Sequence, residues 1–207
     1  MSPKFKRTVF TAFILFLIAS PAFSAVITFY PDPANMNNFT HQEYYTWGIN
    51  WMPEAGEVIV SAQLFIDDIN NWAVEANDQL TIHLLDQADL GVTIFNDNQG
   101  GGDNILGLPG NKILLDTYTD PADAPNTPGS NNFTNSEDYY YNFTESDIST
   151  LASYLDGGFG FGFDPDCHYW NRGVSFTVET GRYVIPEPTT LLLFGMGLLG
   201  FAFRRRS

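Results

Sequence analysis

The chain reads as an all-β protein: an antiparallel β-sandwich, jelly-roll-like, with one short helix, and with hydrophobic helices at both ends, an N-terminal signal and a C-terminal tail. Three observations predict this. Short runs alternate apolar and polar residues with period two, as in Val58, Val60, Ala62, Leu64 and Ile66. Clusters of Gly, Pro, Asn and Asp separate those runs at short spacing. Only one segment shows helical periodicity, so the strands must cover one another rather than be covered by helices.

The strands follow in order. Val26 to Tyr30 is the first. Thr40 to Trp51 is aromatic and alternating, with Tyr45, Trp47, Ile49 and Trp51 on one face, and Pro53 to Gly56 breaks it. Glu57 to Ile66 follows, then Gln79 to Asp86 with Leu80, Ile82 and Leu84 aligned; His83 opposes that face and reads as a surface histidine. Val92 to Phe95, Lys112 to Tyr118 and Asp138 to Phe143 are further strands. The helix opens at Thr144, with Asp147 three residues on as in a capping box. It places Ile148, Leu151, Ala152 and Leu155 on one face and ends at Gly157-Gly158. Phe159, Phe161 and Phe163 then alternate with glycines, which suits a strand packing its rings on one side while backbone approaches closely on the other. Gly173 to Thr180 is the last strand. No internal repeat is visible. Asn96 to Gly110 and Thr119 to Asn135 are long irregular stretches, of a length that points to function, metal binding or local disorder.

Both ends are addresses. Lys4, Lys6 and Arg7 precede the apolar run Val9 to Ile18, and Ala22-Phe23-Ser24 offers small residues for signal peptidase. Residues 1–24 therefore read as a Sec signal peptide cleaved after Ser24. Residues 25–183 form the sandwich domain, large enough for one core. Residues 184–207 form a tail in three parts: Pro186-Glu187-Pro188, the uncharged run Thr189 to Phe203, and Arg204, Arg205 and Arg206. As a helix that run spans about 22 Å, short for a bilayer but workable with snorkelling arginines, which would stay cytoplasmic. This order of parts resembles the PEP-CTERM sorting signal of Gram-negative bacteria. The resemblance implies recognition by exosortase, a membrane protease-transpeptidase, with processing near the Pro-Glu-Pro motif. It also implies an inner-membrane intermediate, held by the tail, on the way to the envelope, surface or biofilm matrix. Ile69 to Trp72, Leu84 to Asp86 and Gly160 to Tyr169 look like segments of other PEP-CTERM exoproteins of unassigned role.

Between Ala25 and Ile185 the chain carries three basic residues, Lys112, Arg172 and Arg182, against 23 acidic ones, a formal charge of −20. Such a surface excludes nucleic acid as a partner and attracts divalent cations; plain solubility explains the same charge. Cys167 is the only cysteine, so there is no internal disulfide, and it is either a buried small hydrophobe or a reactive or intermolecular thiol.

Candidate calcium ligands fall in three groups. Asp164, Asp166 and His168 alternate and would point one way in an extended segment. Asp67 and Asp68 end the best strand, with Asp86 further on. Asp97 and Asp103 lie in the glycine-rich stretch. Hydrogen-bonded Asx turns are the alternative reading of each. Trp47, Trp51, Trp72, Trp170, Tyr44 and Tyr139 to Tyr141 are candidate rings for stacking on sugars, though core packing would account for most of them. No nucleophile, zincin or P-loop motif occurs. The expectation is a non-catalytic exported module binding calcium, extracellular polysaccharide or both. The alternatives are a carboxylate-dependent polysaccharide hydrolase and a structural matrix protein.

Overall fold

The computed structural model describes residues 24–71, 78–97, 102–120, 133 and 136–182. The elements in chain order are β1 (Ser24–Phe29), β2 (Glu43–Ile49), β3 (Glu57–Asn71), β4 (Leu80–Leu85), β5 (Gly91–Asn96), β6 (Lys112–Tyr118), β7 (Glu137–Asn142), α1 (Glu145–Tyr154), β8 (Phe159–Pro165), β9 (Tyr169–Trp170) and β10 (Gly173–Arg182). They build two antiparallel sheets. Sheet A runs β1-β10-β3-β7, with β9 pairing the end of β3; sheet B runs β5-β2-β8-β4-β6. Setting aside β5 and β9 and renumbering the other eight strands in chain order, the sheets read 1-8-3-6 and 2-7-4-5. That is the strand order of a jelly roll, two interleaved Greek keys.

The core lies where the two sheets face. Phe159, Phe161 and Phe163 of β8 are fully buried, and Phe176 of β10 meets them from the other sheet, 4.9 Å from Phe161 and 5.8 Å from Phe159 between ring centroids. Burying each such ring contributes roughly 1.5–3 kcal/mol. Tyr45, Trp47 and Ile49 line the same interior, as the alternation in β2 predicts. Helix α1 carries the expected capping box between Thr144 and Asp147. It inserts Leu151 into the core and packs Ile148 and Leu155 beside it, while Ala152 stays exposed; Gly158, at φ 79°, closes the short turn after it.

The glycines of β8 answer a close approach, as their alternation with phenylalanine suggests. A Cβ at Gly160 would lie 2.6 Å from Ala88 Cβ, and one at Gly162 would lie 2.9 Å from two Ile105 carbons. The segment after β4 and the turn at Asn104–Gly107 therefore rest directly on the outer face of sheet B.

Two bulges in β3 correct the simple alternation. Against β10, Glu179 faces Ser61 but Thr180 faces Ile59, so Val60 is skipped. A one-residue slip exchanges the faces of a strand. Ala62, Leu64 and Ile66 face inward as predicted, but Ile59 replaces Val60 in the core, and Val58 and Val60 are exposed. The second bulge, at Asp67–Asp68, lets β3 continue to Asn71 instead of ending at Ile66.

Candidate functional site: an acidic bulge beside an open aromatic sheet face

The second bulge builds the most concentrated group of ligand atoms. Ile66 faces Tyr139 and Ile69 faces Glu137, so Asp67 and Asp68 together oppose the single residue Asp138 of β7. In a regular strand two adjacent side chains point to opposite faces. Here Asp68 takes φ 50°, and the carboxylates of Asp67, Asp68 and Asp138 converge, with their ligand atoms within 4.8 Å of one another. The Asp68 N–H donates to Asp138 Oδ1 at 3.3 Å and the Ser136 hydroxyl to Asp68 Oδ1 at 2.8 Å. Arg172 Nε pairs with Asp68 Oδ2 at 2.8 Å while its guanidinium lies 4.7 Å from the Phe133 ring centroid. Partial burial, then the charges of Asp68 and Asp138, hold the Asp67 carboxyl above its ordinary range; Arg172 opposes them. Three carboxylates against one guanidinium leave the group net negative when ionised. Carboxylate oxygens are the hard donors calcium takes.

The neighbouring surface is the outer face of sheet A, running from this bulge along β3, β7, β10 and β1. Phe65 and Tyr140 face each other across β3 and β7 with rings stacked at 4.7 Å, and Tyr140 is 52% exposed. The Tyr140 hydroxyl donates to Asp138 Oδ2 at 3.2 Å, which ties the aromatic pair to the acid triad. Further along, Gln63 donates to Asn142 at 2.7 Å and Thr28 meets Thr177 at 2.9 Å. Flat rings beside a row of amides and hydroxyls suit a pyranose, which offers apolar C–H faces and equatorial hydroxyls.

A second acidic region lies under the turn that covers sheet B. Asp164, almost fully buried, accepts from the Asn104 N–H at 2.5 Å. Burial pushes its carboxyl up to about 6; the hydrogen bonds from Asn104 oppose this, and the charges of Asp97 and Asp103 add to it. His83, expected at the surface, is fully buried because this turn lies over its face of sheet B; its Nε2 sits 3.0 Å from Asp103 Oδ2. Burial depresses the His83 pKa against the pull of Asp103.

The structure separates the Asp164, Asp166 and His168 set. Asp164 belongs to the end of β8 and is buried, whereas Asp166 is exposed in the turn beyond it. His168 packs at a tilt on Trp170, 4.5 Å between ring centroids, and burial followed by the neighbouring His41 lowers its pKa. Asp86 accepts from Asn111 at 2.7 Å and is not part of the converging carboxylate group at the bulge. Asp97 and Asp103 face Asp164 rather than the bulge. Trp47 is only 3% exposed and packs on Phe161, so its ring cannot stack on a sugar. Trp170 is half-buried, and Trp72 lies outside the described residues. Cys167 is buried and donates to Asn71 Oδ1 at 3.0 Å, in keeping with the small-hydrophobe alternative. Asp138 and Phe65 were not among the residues the sequence singled out, whereas Tyr140 was one of its candidate stacking rings. Only the bulge turns Asp138 toward Asp67 and Asp68, although its place directly before three tyrosines was a signal for an aromatic strand end bearing an acid.

Pro186, Glu187, Pro188, Arg204, Arg205 and Arg206, the run between them and residues 1–23 of the signal peptide also lie outside the described residues. Among the described residues no helix is long and apolar enough to cross a membrane. Residues 184–206 match the family model of the PEP-CTERM protein-sorting motif. No curated protein matches the chain. The motif marks an exported protein sorted by exosortase to the cell envelope or surface.

Proposed function

We propose that the body of this exported protein is a non-catalytic module that binds extracellular polysaccharide on the outer face of sheet A, with calcium held at Asp67, Asp68 and Asp138. One observation carries the reading: the β3 bulge sets three converging carboxylates beside a stacked ring pair, half-buried Phe65 and exposed Tyr140, on the outer face of sheet A. Arg172 already neutralises part of the charge on Asp68, so the site belongs to the weak extracellular class of calcium sites, roughly 10⁻⁴–10⁻³ M. A calcium ion there would offer open positions to sugar hydroxyls, while the rings supply contact area.

A glycan array probed with the mature protein, with calcium and with EDTA, tests the reading. Binding should require calcium, and Tyr140→Ala should abolish it while the protein stays folded, with melting lowered only by the lost cross-strand ring pair. Asp138→Asn should remove the calcium dependence of melting. A protein that binds no glycan in either condition, and whose melting is indifferent to calcium, is a structural matrix protein instead. One observation favours a second reading, the hydrolase: Asp164, held near pH 6, has the proton affinity of a general acid. The Asn104 turn seals it from solvent, however. Reducing-sugar release that is lost in Asp164→Asn would establish that reading.

A further inference from the structure

The sorting motif begins at residue 184, two residues after β10 ends at Arg182. From Arg182 to Thr189, where the uncharged run of the tail starts, there are seven Cα–Cα steps, at most about 25 Å of chain. While the tail sits in the bilayer, the Arg182 end of the sandwich is therefore held within about 25 Å of the membrane. Gly173, at the other end of the same strand, pairs with Asp67, and Arg182 pairs with Glu57. Nine steps of about 3.3 Å put the acid bulge roughly 30 Å further from the tether point.

The two ends differ in chemistry. Around the tether end, Val26, Met52, Val58 and Val60 are 67%, 58%, 44% and 49% exposed. An open hollow of about 410 Å³ joins Ile27, Trp51, Met52 and Pro53 to Glu54, Glu57 and Arg182. Trp51 is braced from behind by Phe29, 5.8 Å away between ring centroids. The Val60 bulge is what turns valines outward here. At the far end the same sheet face presents Asp67, Asp68 and Asp138.

We infer that this apolar end, centred on Trp51 and Met52, is a membrane-docking surface that seats on a zwitterionic lipid interface while the tail is inserted, and so holds the acid bulge and the Phe65–Tyr140 face outward. Tryptophan is favoured at the headgroup level, and apolar side chains beside it, such as the exposed Met52 and valines, gain by burial at the same boundary. Glu54 and Glu57 disfavour anionic lipid but can meet the ammonium of phosphatidylethanolamine, and Arg182 can meet its phosphate. The charge of the acid bulge lies several Debye lengths, each about 8 Å, from the bilayer and does not oppose docking. The inference rests on the tail being membrane-inserted. It does not depend on what the outer face binds.

The test uses the full chain reconstituted in phosphatidylethanolamine-rich vesicles. An environment-sensitive fluorophore is placed on Met52→Cys and, separately, on Tyr140→Cys, with Cys167 left buried in both. Flotation reports tail insertion. The probe at position 52 should shift to the blue and be quenched by spin-labelled lipid, and the probe at position 140 should do neither. Intrinsic tryptophan quenching by brominated lipid in the unlabelled chain should agree. Failure to float overturns the tail reading and this inference with it. Flotation with a water-exposed probe at position 52 overturns the docking surface alone. Protection of position 52 only when exosortase is added assigns the patch to a protein contact and overturns the lipid assignment.

Discussion

Replacing Asp164 by Asn should stabilise the folded body at neutral pH. The carboxyl is almost fully buried, and its pKa rises from an ordinary 3.8 to about 6, chiefly by burial. A raised folded-state value means the native state binds the proton more tightly than the unfolded chain. Stability is then fully present below the unfolded value, falls as pH rises from about 4 to about 6, and stays reduced above. At about 1.36 kcal/mol per pH unit, the ionised carboxylate costs roughly 3 kcal/mol at pH 7.5, an upper bound. Asparagine keeps an oxygen to accept the Asn104 N–H and has no charge to desolvate. It forfeits a charge-assisted hydrogen bond, which offsets part of the gain. The net expectation is about 1–2 kcal/mol, or several degrees in melting temperature for a body of this size. The assay is urea unfolding of wild type and variant at pH 4, 5, 6 and 7.5 in EDTA. The difference between the two isolates this carboxyl from the other acids. A variant less stable than wild type at pH 7.5, or a difference that does not change between pH 4 and 6, refutes the argument.

Gly48→Ala should prevent folding or cost more than about 3 kcal/mol, because its Cβ would sit 2.2 Å from the Asp89 carbonyl oxygen, a backbone atom that cannot turn aside. Gly162→Ala meets only Ile105 side-chain carbons and should cost about 1–3 kcal/mol, a loss that added Ile105→Val partly restores in chemical denaturation. Asp147 is pushed up by burial but brought below its ordinary value by hydrogen bonds from Thr144 and Tyr141. Asp147→Ala should therefore cost about 1 kcal/mol at pH 7, and that cost should vanish as pH falls through and below the ordinary carboxylate range. Replacing Pro186, Glu187 and Pro188 by alanine should leave the protein in the inner membrane with its tail attached, read by fractionation and mass; export at normal mature mass would refute the sorting role.

By itself the sequence determined the class of the fold and the destination of the protein. Period-two runs, the Thr144–Asp147 box and the glycine–phenylalanine alternation are local patterns, and local patterns are where backbone geometry and side-chain burial meet directly. The sorting motif is likewise read in one contiguous stretch. What the tertiary structure decided was register and cover. The phase of β3 changes at Val60 and again at Asp67–Asp68 because its partners pair out of step there, and nothing in the run from Glu57 to Ile66 announces either slip. The first slip moves two valines to the surface; the second brings Asp138, some 70 residues away along the chain, onto Asp67 and Asp68. Cover worked the same way on His83, whose strand position reads as outward, and on Asp164; the Asn104 turn buries both. A side chain's face follows from its own strand, but its neighbours across the sheet and the loop above it are supplied by distant parts of the chain.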